Sequence, residues 1–174
     1  KTYRVSGTKK WITQGCHAEF FVVAVRTGPP GSGMGGLSLL LLERGMKGLR
    51  TKPIKTSYSP SAGTALVILE DVEVPVENLI GEEDGGFLCI MYNFNHERWF
   101  ICVYMVVVCR SITEECFKWC MQRRAFGKAL IKQPVVRQKL ARMLGAVEAV
   151  QCWLEMLTHQ MCNVDYSMQS MMLA

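Results

Sequence analysis

Four consecutive residues in the second half of the chain combine a possible proton acceptor with a possible anion binder. They are Asn95, His96, Glu97 and Arg98, and an apolar helical pattern follows them. A carboxylate beside a guanidinium on an apolar helix is costly to bury unless it is paired or takes part in chemistry. The segment therefore indicates either acid–base chemistry on an anionic ligand or an ordinary ion pair at the start of a helix.

A second candidate lies at the end of a strand-like segment, where Trp11 and Ile12 precede Thr13. A large, flat indole beside a hydroxyl can bracket a planar ring and offer it one hydrogen bond. The alternative is a tryptophan of the core, which is the commoner use of such a residue at a strand end.

A third candidate follows the apolar helical pattern, where Arg123 and Arg124 precede Ala125, Phe126 and Gly127. Two guanidinium groups followed by an aromatic ring and a glycine suit a diphosphate with a stacked base. The alternative is cationic capping of the C-terminal end of a helix, where the helix dipole is negative.

The composition is that of a folded protein. Of the 174 residues, 49% are hydrophobic and 20% are charged, which excludes a disordered or purely solvating chain. The eight cysteines include no C-x-x-C pair, so no metal site is predicted. Cys102, Cys109 and Cys116 are seven residues apart, which predicts small buried residues on one packing face of a helix. This usage favours a reduced, intracellular protein.

The net charge of +5 is unevenly placed, because eight basic residues and no acidic one lie between Lys118 and Arg142. Such a stretch is either a solvated helix face or a binding surface for the phosphate of a nucleic acid or a nucleotide cofactor. It lacks the regularly placed aromatic residues that single-strand binders use for stacking, which argues against nucleic acid. The longest apolar run, from Trp99 to Cys109, is far short of the ~18 residues of a membrane helix.

Short segments rich in β-branched, leucine and aromatic residues alternate with turn-forming clusters through the first half of the chain. The predicted strands are residues 2–6, 8–13, 19–27, 37–43 and 64–74. A turn is predicted at Ser6 and Gly7, between the first two strands. No helix-length segment separates the strands, which argues against a parallel sheet and favours an antiparallel β-barrel or sandwich.

The hydrophobic period changes after the acidic, glycine-bearing segment at residues 82–86. One long helix is predicted from about residue 95 to 122, and a second begins near Pro134, a residue suited to the first helical position. The second helix has apolar residues spaced alternately four and three apart, which is typical of packing along one seam. They are Val136, Leu140, Met143, Val147, Val150, Leu154, Leu157 and Met161. The predicted fold class is α+β, with a β domain at 1–85 and an α-helical bundle domain at 86–174.

Taken in chain order, five segments resemble the acyl-CoA dehydrogenase family, flavoenzymes that desaturate a fatty acyl thioester between Cα and Cβ. The segments are residues 3–13, 69–75, 77–87, 97–98 and 123–128. The resemblance covers essentially the whole chain. It implies the family's middle β domain, incomplete at its N-terminus, followed by its C-terminal helical domain, incomplete at its C-terminus.

The resemblance further implies that the two domains enclose FAD, with the acyl-CoA against the flavin. Trp11, Ile12 and Thr13 would line the isoalloxazine ring, and the Thr13 hydroxyl would donate a hydrogen bond to it. The pyrophosphate and adenosine of an FAD, commonly one in a neighbouring subunit, would be held by Arg123, Arg124, Ala125 and Phe126. Gln133 and Pro134 fall at a further FAD contact. Many members have a glutamine in place of Pro134, so this chain departs from the family there.

The substrate-contacting stretch of the family matches Asn95, His96, Glu97 and Arg98, which places Arg98 near the acyl-CoA. Most members supply the catalytic glutamate from a later helix, which would lie beyond Ala174. A minority, similar to the isovaleryl and long-chain enzymes, place it directly before the helix arginine, where this chain has Glu97. We therefore hypothesise that Glu97 is the catalytic base.

The resemblance also implies an electron acceptor, such as an electron-transfer flavoprotein or another redox partner, and a homodimer or homotetramer. The mitochondrial, peroxisomal and cytoplasmic compartments are all left open. Residues 1–174 alone are expected neither to hold FAD nor to catalyse the reaction. Two alternatives remain at this stage, a non-catalytic protein whose helices serve assembly and an acyl-CoA oxidase that passes its electrons to oxygen.

Overall fold

A computed structural model describes residues 1–57 and 59–163 of the chain. The chain divides into two compact units, Lys1–Ile90 and a second that begins at Met91. The boundary proposed from the sequence, between residues 85 and 86, stays a prediction, and residues 164–174 of the predicted helical domain lie outside the described residues.

The first unit consists of two antiparallel sheets. Its strands are β1 (Thr2–Ile12), β2 (Phe20–Arg26), β3 (Leu37–Glu43), β4 (Leu49–Pro53), β5 (Ala65–Pro75) and β6 (Leu79–Ile80). One sheet has the order β1-β5-β4 and the other has the order β2-β3-β6. Short 3₁₀ helices occupy Gly33–Gly36, Pro60–Ala62 and Val76–Asn78. The prediction of an antiparallel β domain followed by helices is confirmed.

A single apolar core joins the two sheets. Val67, Leu69 and Val72 of β5 face Leu40 and Leu42 of β3, and all five side chains are almost fully buried. Buried side chains alternate along β5 on either side of residues 70–71, as the two-residue period of a half-buried strand requires, whereas β3 buries three residues in succession at 38–40. Each such side chain contributes about 1.5–3 kcal/mol when it leaves water, so this core holds the unit together.

The turn predicted at Ser6 and Gly7 is wrong, because β1 runs unbroken through both residues. The irregularity lies in the partner strand instead, where Asp71 has a φ of 50° and the register shifts between Val5 and Gly7. The Ser6 hydroxyl donates to the Asp71 carboxylate at 2.9 Å and accepts from the Asp71 amide at 3.0 Å. A turn-forming residue therefore serves here to satisfy a β-bulge.

Strand β4 was missed by the sequence prediction. Its residues include Arg50, Lys52 and Pro53, which dilute any hydrophobic alternation. The strand lies at the edge of its sheet, where a proline without an N–H and charged side chains are both tolerated.

The second half of the chain is mainly helical. Its elements are α1 (Gly86–Gln122), β7 (Arg124–Ala125), β8 (Lys128–Ala129), a 3₁₀ helix (Leu130–Lys132) and α2 (Pro134–Asn163). Helix α2 begins at Pro134 as predicted. Helix α1 begins at Gly86, nine residues before the predicted start near residue 95. A Cβ atom at Gly86 would lie 2.9 Å from the Leu37 carbonyl oxygen, so glycine is required for this close approach to β3.

Helices α1 and α2 are antiparallel. The Trp99 indole donates to the Thr158 hydroxyl at 2.9 Å, and further along the pair Arg110 and Glu148 form an ion pair at 2.9 Å. Leu140, Val147 and Leu154, spaced seven apart on α2, are buried, so the predicted packing seam is confirmed in its centre. The main exception in that predicted series is Val150, which is exposed.

The cysteine face predicted on α1 is not buried in this chain. Cys102 and Cys109 are exposed and Cys116 is half-buried. The buried positions of α1 include Val106 and Thr113 instead, which are also seven residues apart. Within the part of the chain that the structure describes, no helix combines the length and the apolar character needed to cross a membrane.

The bond between Trp99 and Thr158 predicts a measurable loss of stability when the hydroxyl is removed. Thr158→Val keeps the shape of the side chain but leaves the half-buried indole N–H without its acceptor, at a cost of about 1–3 kcal/mol. Thr158→Ser keeps the hydroxyl and should melt close to the parent. Thermal unfolding of the full-length protein checks this, and equal melting of the valine and serine variants would show that the bond contributes nothing.

Candidate functional site

The residues singled out at the end of β1 lie on a β-bulge. The register against β5 shifts between Lys9 and Ile12, and Trp11 has a φ of 65°. A bulky residue in this left-handed region costs about 1–2 kcal/mol, and bulges commonly redirect a side chain next to a functional site. The Trp11 indole is 59% exposed, so it is not a core residue of this chain. The only ring contact described for it is with the Lys10 ammonium, 4.7 Å from the ring centroid.

Ile12 is half-buried and Thr13 is exposed. Among the hydrogen bonds of the described residues, none involves the Thr13 hydroxyl. An exposed indole beside an unengaged hydroxyl is the donor set that the sequence suggested for a planar ring.

Arg44 holds the turn that follows this segment. Its Nε donates to the Ala18 carbonyl at 2.6 Å, and one terminal nitrogen donates to the Gly15 carbonyl at 2.8 Å. The other terminal nitrogen reaches the Thr51 hydroxyl at 3.2 Å, and the guanidinium lies over the Phe21 ring. Sequence reasoning missed Arg44. The available signal was an arginine two residues after the long apolar run of β3.

The residues between the helices form a two-residue β-hairpin. Strands β7 and β8 pair, and the turn residues Phe126 and Gly127 have φ values of 52° and 75°. Positive φ at both turn positions is the type I′ pattern of tight hairpins. The Phe126 side chain is 96% exposed, so a large apolar ring stands in solvent on a strained backbone.

Arg123 and Arg124 are exposed at the base of this hairpin. Neither guanidinium forms a hydrogen bond or an ion pair with residues 1–57 or 59–163. The alternative interpretation, side-chain capping of helix carbonyls, is therefore not observed within the described chain. Two free guanidinium groups next to an exposed aromatic ring are available for an external anion and a flat base.

Gln133 and Pro134 lie where the chain enters α2. The backbone N–H of Gln133 donates to the Leu130 carbonyl at 2.9 Å, and the backbone carbonyl of Gln133 accepts from the backbone N–H of Arg137 at 3.1 Å. Pro134 is the first residue of α2 and its ring is exposed. A proline side chain has no hydrogen-bonding atom, so only Gln133 of this pair can offer a polar side-chain contact.

The candidate acid–base segment lies one helical turn or more inside α1. The Asn93 amide donates to Glu97 Oε1 at 3.0 Å, and Arg98 donates to Asn95 Oδ1 at 3.2 Å. Asn95 is only 5% exposed, whereas Glu97 and Arg98 are exposed. The His96 and Trp99 rings are tilted against each other with centroids 5.6 Å apart. The structure forms no ion pair between Glu97 and Arg98.

The structure separates Glu97 from the hairpin at the other end of α1. Gln122 follows Glu97 by 25 residue steps, and at about 1.5 Å per step this is roughly 38 Å along the helix. The Glu97 carboxylate and the Phe126 ring of one chain are therefore too far apart to contact the same ring of a ligand.

The basic residues between Lys118 and Arg142 are all exposed. The Lys118 ammonium donates to Glu115 at 2.6 Å, and this hydrogen bond raises the pKa of Lys118 above its ordinary value. Half of these basic side chains lie on exposed positions of α1 and α2, and the other half lie on the segment between the helices, where Arg123 and Arg124 are distinguished by the exposed ring beside them.

The fold and these sites define a β-sandwich unit followed by antiparallel helices, with candidate ligand contacts at a bulge, a hairpin and a helix carboxylate. The model of the acyl-CoA dehydrogenase middle domain matches residues 1–72, and the model of the acyl-CoA dehydrogenase C-terminal domain matches residues 84–173. The chain belongs to the acyl-CoA dehydrogenase family.

Individual relatives agree with this assignment. The chain is 43% identical over 165 residues to acyl-CoA dehydrogenase apdG of Emericella nidulans, covering 94% of this chain and 37% of that protein. It is 35% identical over 141 residues to the mitochondrial long-chain specific acyl-CoA dehydrogenase of Rattus norvegicus, covering 80% of this chain and 33% of the relative. A probable acyl-CoA dehydrogenase from Mycobacterium abscessus has a similar structure, with a TM-score of 0.86 and 32% identity over 99% of this chain and 46% of that one. The chain thus spans about a third to a half of the length of these proteins.

The exposed ring on the hairpin predicts an unusual response of stability to substitution. Phe126→Asn removes no buried contact and places a residue that tolerates positive φ at the turn, so unfolding should be unchanged or up to about 1 kcal/mol less favourable. Thermal melting of the full-length protein, stripped of bound ligand, measures this, because a ligand bound to the native state would raise its melting temperature. The matched change Phe21→Asn, in the core, should be strongly destabilising. A marked loss of stability in Phe126→Asn would show that the ring is packed after all.

Proposed function

We propose that this chain is the part of an FAD-dependent acyl-CoA dehydrogenase that carries the catalytic base and two sets of FAD contacts. The observation that carries the proposal is the exposed Glu97 carboxylate, directly before Arg98 and held by a neutral amide instead of a cation. The family membership of the chain makes the desaturation of an acyl-CoA thioester the reaction that such a carboxylate would serve.

The chain's own part of this reaction is a proton transfer. Glu97 takes a proton from Cα of the thioester, so that the Cα–H bond breaks and a carboxylic O–H bond forms. The electron pair left at Cα becomes the Cα=Cβ double bond as hydride leaves Cβ, and the product is the 2-enoyl thioester. Bound FAD supplies the hydride acceptor, N5 of its flavin.

The residues at the end of β1 fit the flavin ring of FAD. Trp11 and Ile12 offer an exposed indole and an aliphatic surface, and the Thr13 hydroxyl has no partner among the described residues. Trp11, Ile12 and Thr13 would line the isoalloxazine, with Thr13 donating a hydrogen bond to it. The backbone strain at Trp11 supports this role, since strained, exposed residues cluster at ligand sites.

The hairpin fits the other half of FAD. Arg123 and Arg124 would hold the pyrophosphate, and Ala125 and Phe126 would contact the adenosine, with Gln133 adding a polar contact at the start of α2. The separation of roughly 38 Å along α1 supports a neighbouring subunit as the source of this FAD, and hence a homodimer or homotetramer.

The substrate contacts would come from the same segment of α1 as the base. Asn95, His96 and Arg98 accompany Glu97 there, and Arg98 is oriented by its bond to buried Asn95. The assignment of Glu97 as the base follows from the resemblance to isovaleryl and long-chain enzymes, which implies a glutamate directly before the helix arginine, and the chain is similar to a rat enzyme named as long-chain specific. An electron-transfer flavoprotein or another redox partner would receive the electrons, and the location inside the cell stays a prediction.

The central test is Glu97→Gln in the full-length protein. The amide has nearly the shape of the carboxylate but cannot accept the α-proton, so FAD should remain bound while bleaching of the flavin by acyl-CoA slows by about 10²–10⁴-fold. Anaerobic absorption spectra before and after acyl-CoA addition give both readings. Normal bleaching would place the base in a later helix. Oxygen consumption by the parent without an added acceptor would identify an acyl-CoA oxidase.

The role of the hairpin is tested by FAD retention. Phe126→Asn should weaken FAD binding about tenfold or more, because stacking of a base on an aromatic ring contributes about 1–3 kcal/mol. Phe126→Trp keeps a ring at the same position and should retain FAD. Flavin release on dilution, followed by fluorescence, distinguishes the two variants. Equal retention in both would remove Phe126 from the FAD site.

A further inference from the structure

The Glu97 carboxylate has a defined hydrogen-bond donor one turn earlier on α1. The Asn93 side-chain amide donates to Oε1 at 3.0 Å, and the four-residue spacing places both side chains on the same face of the helix. Asn93 lies outside every segment that the sequence singled out. Both side chains are exposed, so this contact does not arise from core packing.

Arg98, the charged neighbour of Glu97, is hydrogen-bonded to a different residue. Arg98 donates to Asn95 at 3.2 Å, and Asn95 is buried. The hydrogen bond described for Glu97 therefore comes from a neutral amide, while the cation beside it is engaged by a second asparagine. An amide fixes the direction of a carboxylate without adding an opposite charge that would favour its ionised form.

We propose that Asn93 is a positioning residue for proton abstraction, an inference that rests on the proposed role of Glu97 as the base. Asn93 holds Oε1 and thereby aims Oε2, which has no hydrogen bond within residues 1–57 and 59–163, at the α-proton. A glutamate on an exposed helix face otherwise samples many rotamers, and a base must lie within hydrogen-bond reach of the proton that it takes. Small displacements of reacting groups lower rates steeply.

The competing explanation is that the contact is an ordinary helix-surface pair with no part in the reaction. The chain contains a matched pair with which to separate the two explanations. On α2 the Gln151 amide donates to Glu155 at 2.6 Å, again four residues apart. A contribution to helix stability alone would affect both pairs alike, whereas a positioning role would affect only Asn93.

The test uses full-length, FAD-loaded enzyme and the variants Asn93→Ala, Asn93→Asp and Asn93→Gln, with Gln151→Ala as the control. Stopped-flow bleaching of the flavin is measured with ordinary and α-deuterated acyl-CoA, together with FAD content and KM. Asn93→Ala should slow bleaching about tenfold and enlarge the α-deuterium isotope effect, with FAD content unchanged and KM within about twofold. Asn93→Gln, which keeps an amide donor, should recover part of the rate.

Asn93→Asp has the shape of the parent residue and guards against misfolding of the alanine variant. It lacks the donor and adds a like charge beside Glu97, so it should be at least as slow as Asn93→Ala. Gln151→Ala should bleach at the parent rate. The inference fails if Asn93→Ala and Asn93→Asp bleach normally with an unchanged isotope effect, or if Gln151→Ala slows equally.

The same experiment separates this inference from the proposed function. Normal turnover by Glu97→Gln would overturn the assignment of the base and the role of Asn93 together. A slow Glu97→Gln variant beside fast Asn93 variants would overturn the role of Asn93 alone. A slow Asn93→Ala variant with parent isotope effect and a raised KM would also reject positioning, since it would point to substrate binding.

Discussion

The apolar core between the two sheets of the first unit determines where β1 must end, and the Trp11–Thr13 segment depends on that end point. Val67 and Leu69 of β5 are almost fully buried, so β1 has to keep its register against them. A slip of one residue would turn buried Val5, and the partly buried Tyr3 and Ile12, away from the core. The bulge between Lys9 and Ile12 accommodates an extra residue without such a slip. The packing constraint thus produces both the strained backbone and the exposed indole.

Two aromatic rings share this combination of strain and exposure, Trp11 on the bulge and Phe126 on the hairpin. Strained conformations persist only where the surrounding structure determines them. At the bulge, Arg44 supplies that support by donating to two backbone carbonyls of the following turn, so its effect does not depend on the side chains there. At the hairpin, the β7–β8 pairing and Gly127 supply it. Neither ring packs into a core, which is consistent with the FAD contacts proposed for both.

The sequence predicted the elements that rest on strong periodicity and missed those that rest on local compensation. The strands around the core and the start of α2 at Pro134 follow from alternation and from proline's restricted φ. Strand β4 could not be predicted in this way, because an edge strand tolerates charged residues that interrupt the alternation. The start of α1 at Gly86 could not be predicted either, because the close approach of two backbones leaves no hydrophobic pattern in the sequence. The candidate site shows the same division. The candidate residues of the site could be named from sequence motifs that resemble the family. The supporting contacts of Arg44 and Asn93 could not, because they depend on distances between side chains that no sequence pattern encodes.

The adjacency of Glu97 and Arg98 in the sequence determines that their side chains do not form an ion pair with each other. Neighbouring residues on an α-helix point about 100° apart around the axis, so they cannot pair, whereas residues three or four apart lie side by side. Each therefore reaches back to an asparagine on its own face, Glu97 to Asn93 and Arg98 to Asn95. A spacing of three or four would instead have allowed a direct ion pair, in which the guanidinium would occupy a carboxylate oxygen that the proposed base needs. Helix geometry thus keeps a carboxylate and a guanidinium within one turn of each other while leaving both exposed and unpaired with each other.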